Sequence, residues 1–261
     1  MRPLSKTSQS TLHSALTLSL LVLSAVAILF FYICPPAPDD ATLHDLVRAI
    51  IPRFFIAVFL LVLAMEYFPS SLASKRVTAK NFVWCILPLL VALVNFPFSS
   101  LIRGIARITR VDLLGLFLLK CLLIGLGEEI LFRGIIFDSL LRVFKQKKED
   151  CFWPVLLSSV IFALFHFVNL ADGADILGVL QQVGYSFLIG AMLAVVLLQT
   201  GNLWLCVGLH ALFDVGGMLV SDLGVGNPQD LTFWILTIVV GVACTAQIVV
   251  MLIRQQKKLR S

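Results

Sequence analysis

Apolar positions in this 261-residue chain are gathered into long unbroken runs, with polar residues confined to short stretches between them. Neither the strict alternation of a half-buried strand nor the half-polar face of a soluble helix dominates. Read between their interruptions, the runs cover 12–34, 47–68, 82–96, 111–140, 152–170, 176–198, 203–220 and 233–253. Each boundary is good to about three residues. Most approach the roughly 20 residues a helix needs to cross hydrocarbon, and the third is the shortest. The pattern predicts an all-α, polytopic integral membrane bundle of about eight transmembrane helices, forming a single membrane domain over 1–261. No internal repeat, low-complexity tract or separate soluble domain interrupts it.

The first run follows a basic start, Arg2 and Lys6, as a signal peptide would. Its apolar stretch exceeds the usual signal-peptide core of about 7–15 residues, and no small-residue cleavage pattern precedes the Pro35-Pro36 turn, so it is read as a helix.

Composition supports lipid as the solvent. Hydrophobic residues make up 59% of the chain and charged residues 13%, against about 25% charged in ordinary soluble domains. Mean hydropathy is +1.00. Too few charges remain to cover the surface of a domain this size in water. The net charge of +5 is spread in short clusters between apolar runs, not on one basic face, which argues against a nucleic-acid partner. The six cysteines, Cys34, Cys85, Cys121, Cys151, Cys206 and Cys244, stand singly with no zinc or disulfide spacing and read as small buried hydrophobes.

The basic clusters fall on alternate loops: Arg2 and Lys6; Lys75, Arg76 and Lys80; Arg142, Lys145, Lys147 and Lys148; Arg254, Lys257, Lys258 and Arg260. The positive-inside rule makes those loops cytoplasmic, with both termini inside. The opposite loops carry Asp39, Asp40, Asp45, Asp172, Asp175, Asp222 and Asp230. Arg103, Arg107 and Arg110 break the rule. Their spacing of four and three predicts an interfacial helical segment over 101–110, the alternative being a miscounted third span.

Charges inside the runs are the informative exceptions, since each costs about 2.5–3.5 kcal/mol at mid-membrane on insertion scales. Glu128, Glu129 and Arg133 sit in the fourth run, His166 in the fifth, and His210 with Asp214 in the seventh. Glu129 and Arg133 stand i,i+4 and can pair on one helix face. Glu128 points about 100° away and needs a partner from another helix. His210 and Asp214 also stand i,i+4. Counted at about 1.5 Å per residue from the cytoplasmic ends, Glu128, His166, His210 and Asp214 lie about 20, 21, 12 and 18 Å deep, in one slab. Taken singly, each His in a span is more often a packing residue than a ligand; three helices sharing one slab shift the balance towards a site. Arg48, Arg53 and Glu66 near the ends of the second run are explained by snorkelling to the interface.

Glu128-Glu129-Ile130-Leu131-Phe132-Arg133 resembles the EExxxR motif of the intramembrane family of CAAX proteases and bacteriocin-processing or immunity proteins. Phe162-Ala163-Leu164-Phe165-His166 resembles its FxxxH motif, and His210-Ala211-Leu212-Phe213-Asp214 its HxxxN or HxxxD motif. One motif alone is weak; three in order, each on an apolar segment, are specific. They define a motif-bearing core of roughly 111–220. The resemblance implies an all-helical core whose site opens toward the cytoplasm or the lipid, in which Glu128 activates water with His166 while His210 and Asp214 support the tetrahedral intermediate or hold a metal.

Chemistry is consistent with those roles. Amide hydrolysis needs a base for water, a stabiliser for the oxyanion and an acid for the leaving amine. Two His and a carboxylate, His166, His210 and Asp214, would make an open site for a divalent metal, zinc above all. An ionised Asp214 only accepts hydrogen bonds, so a proton or a metal is needed for it to assist an oxyanion. HExxH and GxSxG are both absent, giving a soluble-type zinc protease or a serine hydrolase no support.

The expected function is an intramembrane peptidase with the catalytic set Glu128, Glu129, Arg133, His166, His210 and Asp214. Its partners would be membrane lipid and a hydrophobic or prenylated peptide, or a bacteriocin or pheromone precursor, entering laterally or from the cytoplasmic side. A bacterial inner membrane is the expected location. A non-catalytic immunity or scaffold protein on the same fold, and an ion-coupled transporter, are the rivals.

Overall fold

A backbone in hydrocarbon has to satisfy its own hydrogen bonds, so the apolar runs fold as helices. The computed structural model describes residues 17–29, 39–72, 74–146, 151–171 and 173–260. Arg2, Lys6, Cys34, the Pro35-Pro36 turn, Lys147, Lys148 and Asp172 lie outside them, as do the side chains of Lys145, Arg254, Lys257, Lys258 and Arg260.

Helix α1 covers Thr17–Leu29. It is followed by α2 (Ala41–Tyr67), α3 (Pro69–Leu72), α4 (Ala79–Val94), α5 (Phe98–Ile102) and strand β1 (Ala106–Ile108). A 3₁₀ turn (Val111–Leu113) leads into α6 (Leu114–Glu129), a π-helix (Ile130–Phe137) and α7 (Asp138–Gln146). Then come α8 (Phe152–Phe165), a second 3₁₀ segment (His166–Leu170), α9 (Ile176–Thr200), α10 (Leu203–Leu223), strand β2 (Gly224–Gly226) and α11 (Leu231–Arg260). The helical membrane bundle is as expected. Among the described residues, six helical stretches are long and apolar enough to cross a membrane: Ala41–Tyr67, Ala79–Ile102, Phe152–Leu170, Ile176–Thr200, Leu203–Leu223 and Leu231–Ile253. The expected first span is described only over Thr17–Leu29. The fourth is helical throughout, but its charges and its change of winding at Ile130 set it apart. The short third run is extended past residue 96 by α5.

Polar residues at the ends of the runs act as caps. Asp40 Oδ1 accepts from Leu43 N at 3.1 Å, Asp175 Oδ2 from Gly178 N at 3.0 Å and Asn202 Oδ1 from Leu205 N at 3.3 Å. Gly201, at φ +60°, closes α9 in the left-handed conformation. The lateral surface stays apolar: Ile238, Val239 and Val242 on α11 are exposed, and only 11% of that helix's apolar window is buried. Such a face is stable in lipid and not in water. Helix α9 is the opposite case, with 56% of its window buried. Cys85, Cys121, Cys206 and Cys244 are buried and free, as their apolar surroundings suggested.

The two ends of the bundle differ. At one, Lys75 N donates to Gly201 O, Trp204 Nε1 to Leu72 O and Arg142 Nη2 to Ser70 Oγ. At the other, β1 and β2 form an antiparallel ribbon with Ala106 opposite Gly226 and Ile108 opposite Gly224. The ribbon corrects the expectation for 101–110. The segment is not one helix with three arginines on a face: Gly104, at φ +70°, ends α5 and turns the chain into β1. Arg103 pairs with Asp230 at 3.4 Å, and Arg110 with Asp40 at 2.6 Å and Asp112 at 2.9 Å. Two of the three discordant arginines are thus neutralised by acids on their own side of the bundle.

Close helix approach builds the centre. A Cβ on Gly125 of α6 would come within 3.1 Å of both Ala211 N and Val207 O of α10. The two backbones therefore cross nearly in contact, as small residues permit in membranes. Gly190 lets α9 approach α8 in the same way, beside Ser159 and Phe162.

Candidate functional site

The crossing at Gly125 sets Glu128 and Glu129, one turn further along, beside His210 on α10. Glu129 is fully buried, and its Oε1 faces two cationic or donor groups: Arg133 Nη1 at 3.0 Å and His210 Nδ1 at 2.7 Å. A carboxylate only accepts, so the proton in the second contact is on Nδ1. Arg133 is 1% exposed. Its Nη2 donates to Gly190 O at 3.3 Å and its guanidinium lies 4.4 Å from the centre of the Phe162 ring. Arg133 is carried by the π-helix, a winding that recurs at functional sites. An ion pair removed from water this far holds only because each charge has further partners.

Glu128 takes the other direction, as its offset from Glu129 requires, and finds its partner on another helix. Its Oε2 lies 3.7 Å from His210 Nε2, and Asp214 Oδ2 lies at the same distance from that nitrogen. Both carboxylate oxygens are buried without a hydrogen-bond partner among the described residues. With the Nδ1 proton engaged by Glu129, the imidazole turns Nε2 toward two carboxylates.

His166 stands apart from this cluster. It opens the 3₁₀ segment after α8; Nδ1 faces Phe162 O at 2.9 Å and Nε2 faces Ser186 Oγ at 3.4 Å. The Phe162 ring connects the two histidines, edge-on to His166 with centroids 4.9 Å apart and to His210 at 5.9 Å. The structure brings together Glu128, Glu129, Arg133, His210 and Asp214, with His166 one aromatic ring away.

Among the described residues, no group of three or more His, Cys, Asp or Glu side chains is placed to hold a metal. The expected set of His166, His210 and Asp214 is not gathered, because both His166 nitrogens are turned to Phe162 and Ser186. The side chains as they stand do not fit that centre.

Glu128 also opens outward. It lines a cavity of about 620 Å³ whose walls are α2 from Asp45 to Leu60, the α6–π junction, Phe165 at the end of α8, and Val168, Asn169 and Ala171 beyond it. The wall is mainly apolar, with Ile56, Leu60, Leu123, Leu131 and Phe132. Two cavity residues, Arg48 and Arg53, were assigned in the sequence to interface snorkelling. The signal that marks them is Pro52 between them: it has no N–H to give the residue 48 carbonyl, so this turn of α2 is weakened. Ser186, the hydroxyl facing His166, carries no mark in the sequence at all.

No curated protein and no solved structure matches the chain. A family model, however, does: residues 110–216 match the family described as Rce1-like, type II CAAX prenyl endopeptidase Rce1-like, a stretch that contains all three motifs. The motif-bearing core of this integral membrane protein is therefore similar to the Rce1-like family of CAAX prenyl endopeptidases.

Proposed function

We propose that the chain is an intramembrane endopeptidase that hydrolyses a peptide bond near the C-terminus of a hydrophobic, lipid-modified peptide, with Glu128 as the base that activates water. One observation carries the reading: Glu128 alone joins the buried polar cluster to the cavity, lining the latter while its Oε2 faces His210 Nε2. A water at that carboxylate would lose its proton to Glu128 as it attacks the substrate carbonyl, and the same proton would pass to the leaving amine. Glu129 and Arg133 hold His210 in place. Asp214 and His210 would share the charge that develops beside Glu128, and His166 with Ser186 would border the peptide.

Amphipathic substrates reach such a site from the lipid. Helix α2 packs against α6 and the π-helix, with no comparable packing against α8 or the 3₁₀ segment, which leaves a lateral way in. Both termini in the cytoplasm would put the Asp45 and Ala171 end of the cavity on the far side of the membrane. Lateral entry reconciles that orientation with a membrane-anchored substrate, and a bacterial inner membrane remains the proposed location.

Cleavage of a prenylated or aliphatic C-terminal peptide by detergent-purified protein, wild type beside Glu128→Gln, tests the proposal. The expected result is product from wild type and none above background from Glu128→Gln. Equal background from both would overturn catalysis at this site and favour a binding protein on the same fold. Parallel runs with a chelator, and with zinc added back, decide whether a metal takes part.

A further inference from the structure

The cavity beside Glu128 is apolar except at one wall, where α2 presents Arg48 and Arg53, with Asp45 and Asn169 at its edge. Neither arginine forms an ion pair with a described residue. Arg53 spends one donor on Ala49 O, at 3.0 Å, leaving four of its five guanidinium donors for the cavity. Asp45 is 79% exposed on its side chain and lies 3.5 Å from His44. The cavity therefore holds two cations, an acid at its mouth and the carboxylate of Glu128. Arg53 is partly buried and Arg48 exposed, and an anionic ligand group reaching into the cavity would satisfy both.

Position along the helix gives the scale. Ile56 lies level with Gly127, since a Cβ on that glycine would sit 4.0 Å from Ile56 Cγ2, and Glu128 is the next residue. Arg53 is three residues from Ile56 toward the mouth, about 4.5 Å along the axis, and Arg48 eight residues, about 12 Å. An extended peptide advances about 3.3–3.6 Å per residue. An anion held by these side chains is thus about one to four residues from a bond opposite Glu128.

We infer that Arg48 and Arg53 form a subsite for the free C-terminal carboxylate of the peptide substrate, with the apolar wall taking the last side chains. The inference rests on the peptidase reading. It makes the pair a gauge for where the chain is cut: the carboxylate fixes the end, and Glu128 meets the bond a set distance before it. Bidentate guanidinium geometry suits a carboxylate, and both arginines line the α2 wall of the cavity.

The experiment uses two fluorescent peptides identical except for a free acid or an amide at the C-terminus, with the purified full chain in lipid-free detergent. Wild type should cleave the acid about tenfold or more better than the amide, the range of a hydrogen bond to a charged group, with the difference in KM. Arg53→Gln and Arg48→Gln should bring the acid-to-amide ratio toward one, while Arg76→Gln, exposed at the other end of the bundle, keeps the wild-type ratio. Binding of both peptides to Glu128→Gln protein supplies the readout that needs no turnover. Equal affinity for acid and amide there overturns the subsite, whatever the catalytic result, and assigns the arginines to interface anchoring. A preference for the acid without cleavage by wild type would keep the subsite and sink the peptidase.

Discussion

His210 Nδ1 donates to Glu129 Oε1 at 2.7 Å, out of reach of solvent, so the nitrogen that faces Glu128 and Asp214 is Nε2. Two adjacent glutamates thereby acquire different work. Glu129 is enclosed and compensates Arg133, while Glu128 borders the cavity. The difference follows from helix geometry, since consecutive side chains diverge by about 100°.

That division predicts opposite outcomes for two near-isosteric changes. Glu129→Gln removes the anion that offsets a buried guanidinium and should destabilise the fold by about 3–5 kcal/mol, the usual range when one member of a buried pair is lost. Glu128→Gln should leave the thermal midpoint at the wild-type value while cleavage disappears. Thermal unfolding in detergent, followed by tryptophan fluorescence, separates the two. A large drop for Glu128→Gln would contradict the assignment.

Phe162 is buried among Phe132, Arg133, His166 and His210. Phe162→Ala should cost about 3–5 kcal/mol, and activity should fall further than the folded fraction explains, because the ring positions both histidines. Phe162→Leu should recover much of the stability. Comparing kcat per folded molecule for the two variants checks the point.

Much of this site was legible from the cost of burying charge. Glu128, Glu129, Arg133, His210 and Asp214 are expensive in apolar runs, and they meet. His166 deviates because its run breaks into a 3₁₀ segment at that residue, and no hydropathy pattern announces such a break. The ribbon escaped for a related reason. Arg103, Arg107 and Arg110 have helical spacing, but Gly104 turns the chain and the β1–β2 pairing overrides local periodicity. Arg48 and Arg53, read in the sequence as interface anchors, line the cavity, because position near the end of a run does not distinguish a headgroup from a cavity wall.

The ribbon end offers a pH test outside the membrane. Asp40 is held down to about 2 by its hydrogen bond from Arg110, helped by the Leu43 amide. A carboxylate lowered on folding contributes stability that is present above its unfolded value near 3.8 and lost as pH falls through about 2. Wild type should therefore lose part of its thermal stability between those values. Asp40→Asn should be less stable than wild type at neutral pH and lose less on acidification. Parallel acid titrations for the two proteins would expose the idea if the curves kept a constant offset.

Gly125 should tolerate no side chain. Its Cβ would press on Ala211 N and Val207 O at 3.1 Å, both backbone atoms of the helix that carries His210. Gly125→Val is expected to cost about 1–3 kcal/mol by overpacking, and to lower kcat by displacing His210 from Glu128. Gly115, with open space where a Cβ would go, is the control: Gly115→Ala should be neutral or slightly stabilising. Equal behaviour of the two would argue against a close α6–α10 crossing.

Asp214 separates charge from hydrogen bonding at the third motif. Its Oδ2 is buried with no hydrogen-bond partner among the described residues and lies 3.7 Å from His210 Nε2. Asn at this position keeps the shape, removes an uncompensated anion and adds two donors that can meet an oxyanion. Asp214→Asn should therefore retain cleavage and gain stability, whereas Asp214→Ala should lose about 10²-fold in kcat, the scale of a deleted oxyanion-stabilising group. If the Asn variant is as inactive as the Ala variant, the carboxylate charge itself is required. Zinc rescue of wild type, and not of Asp214→Asn, after chelation would then give that charge a metal to hold.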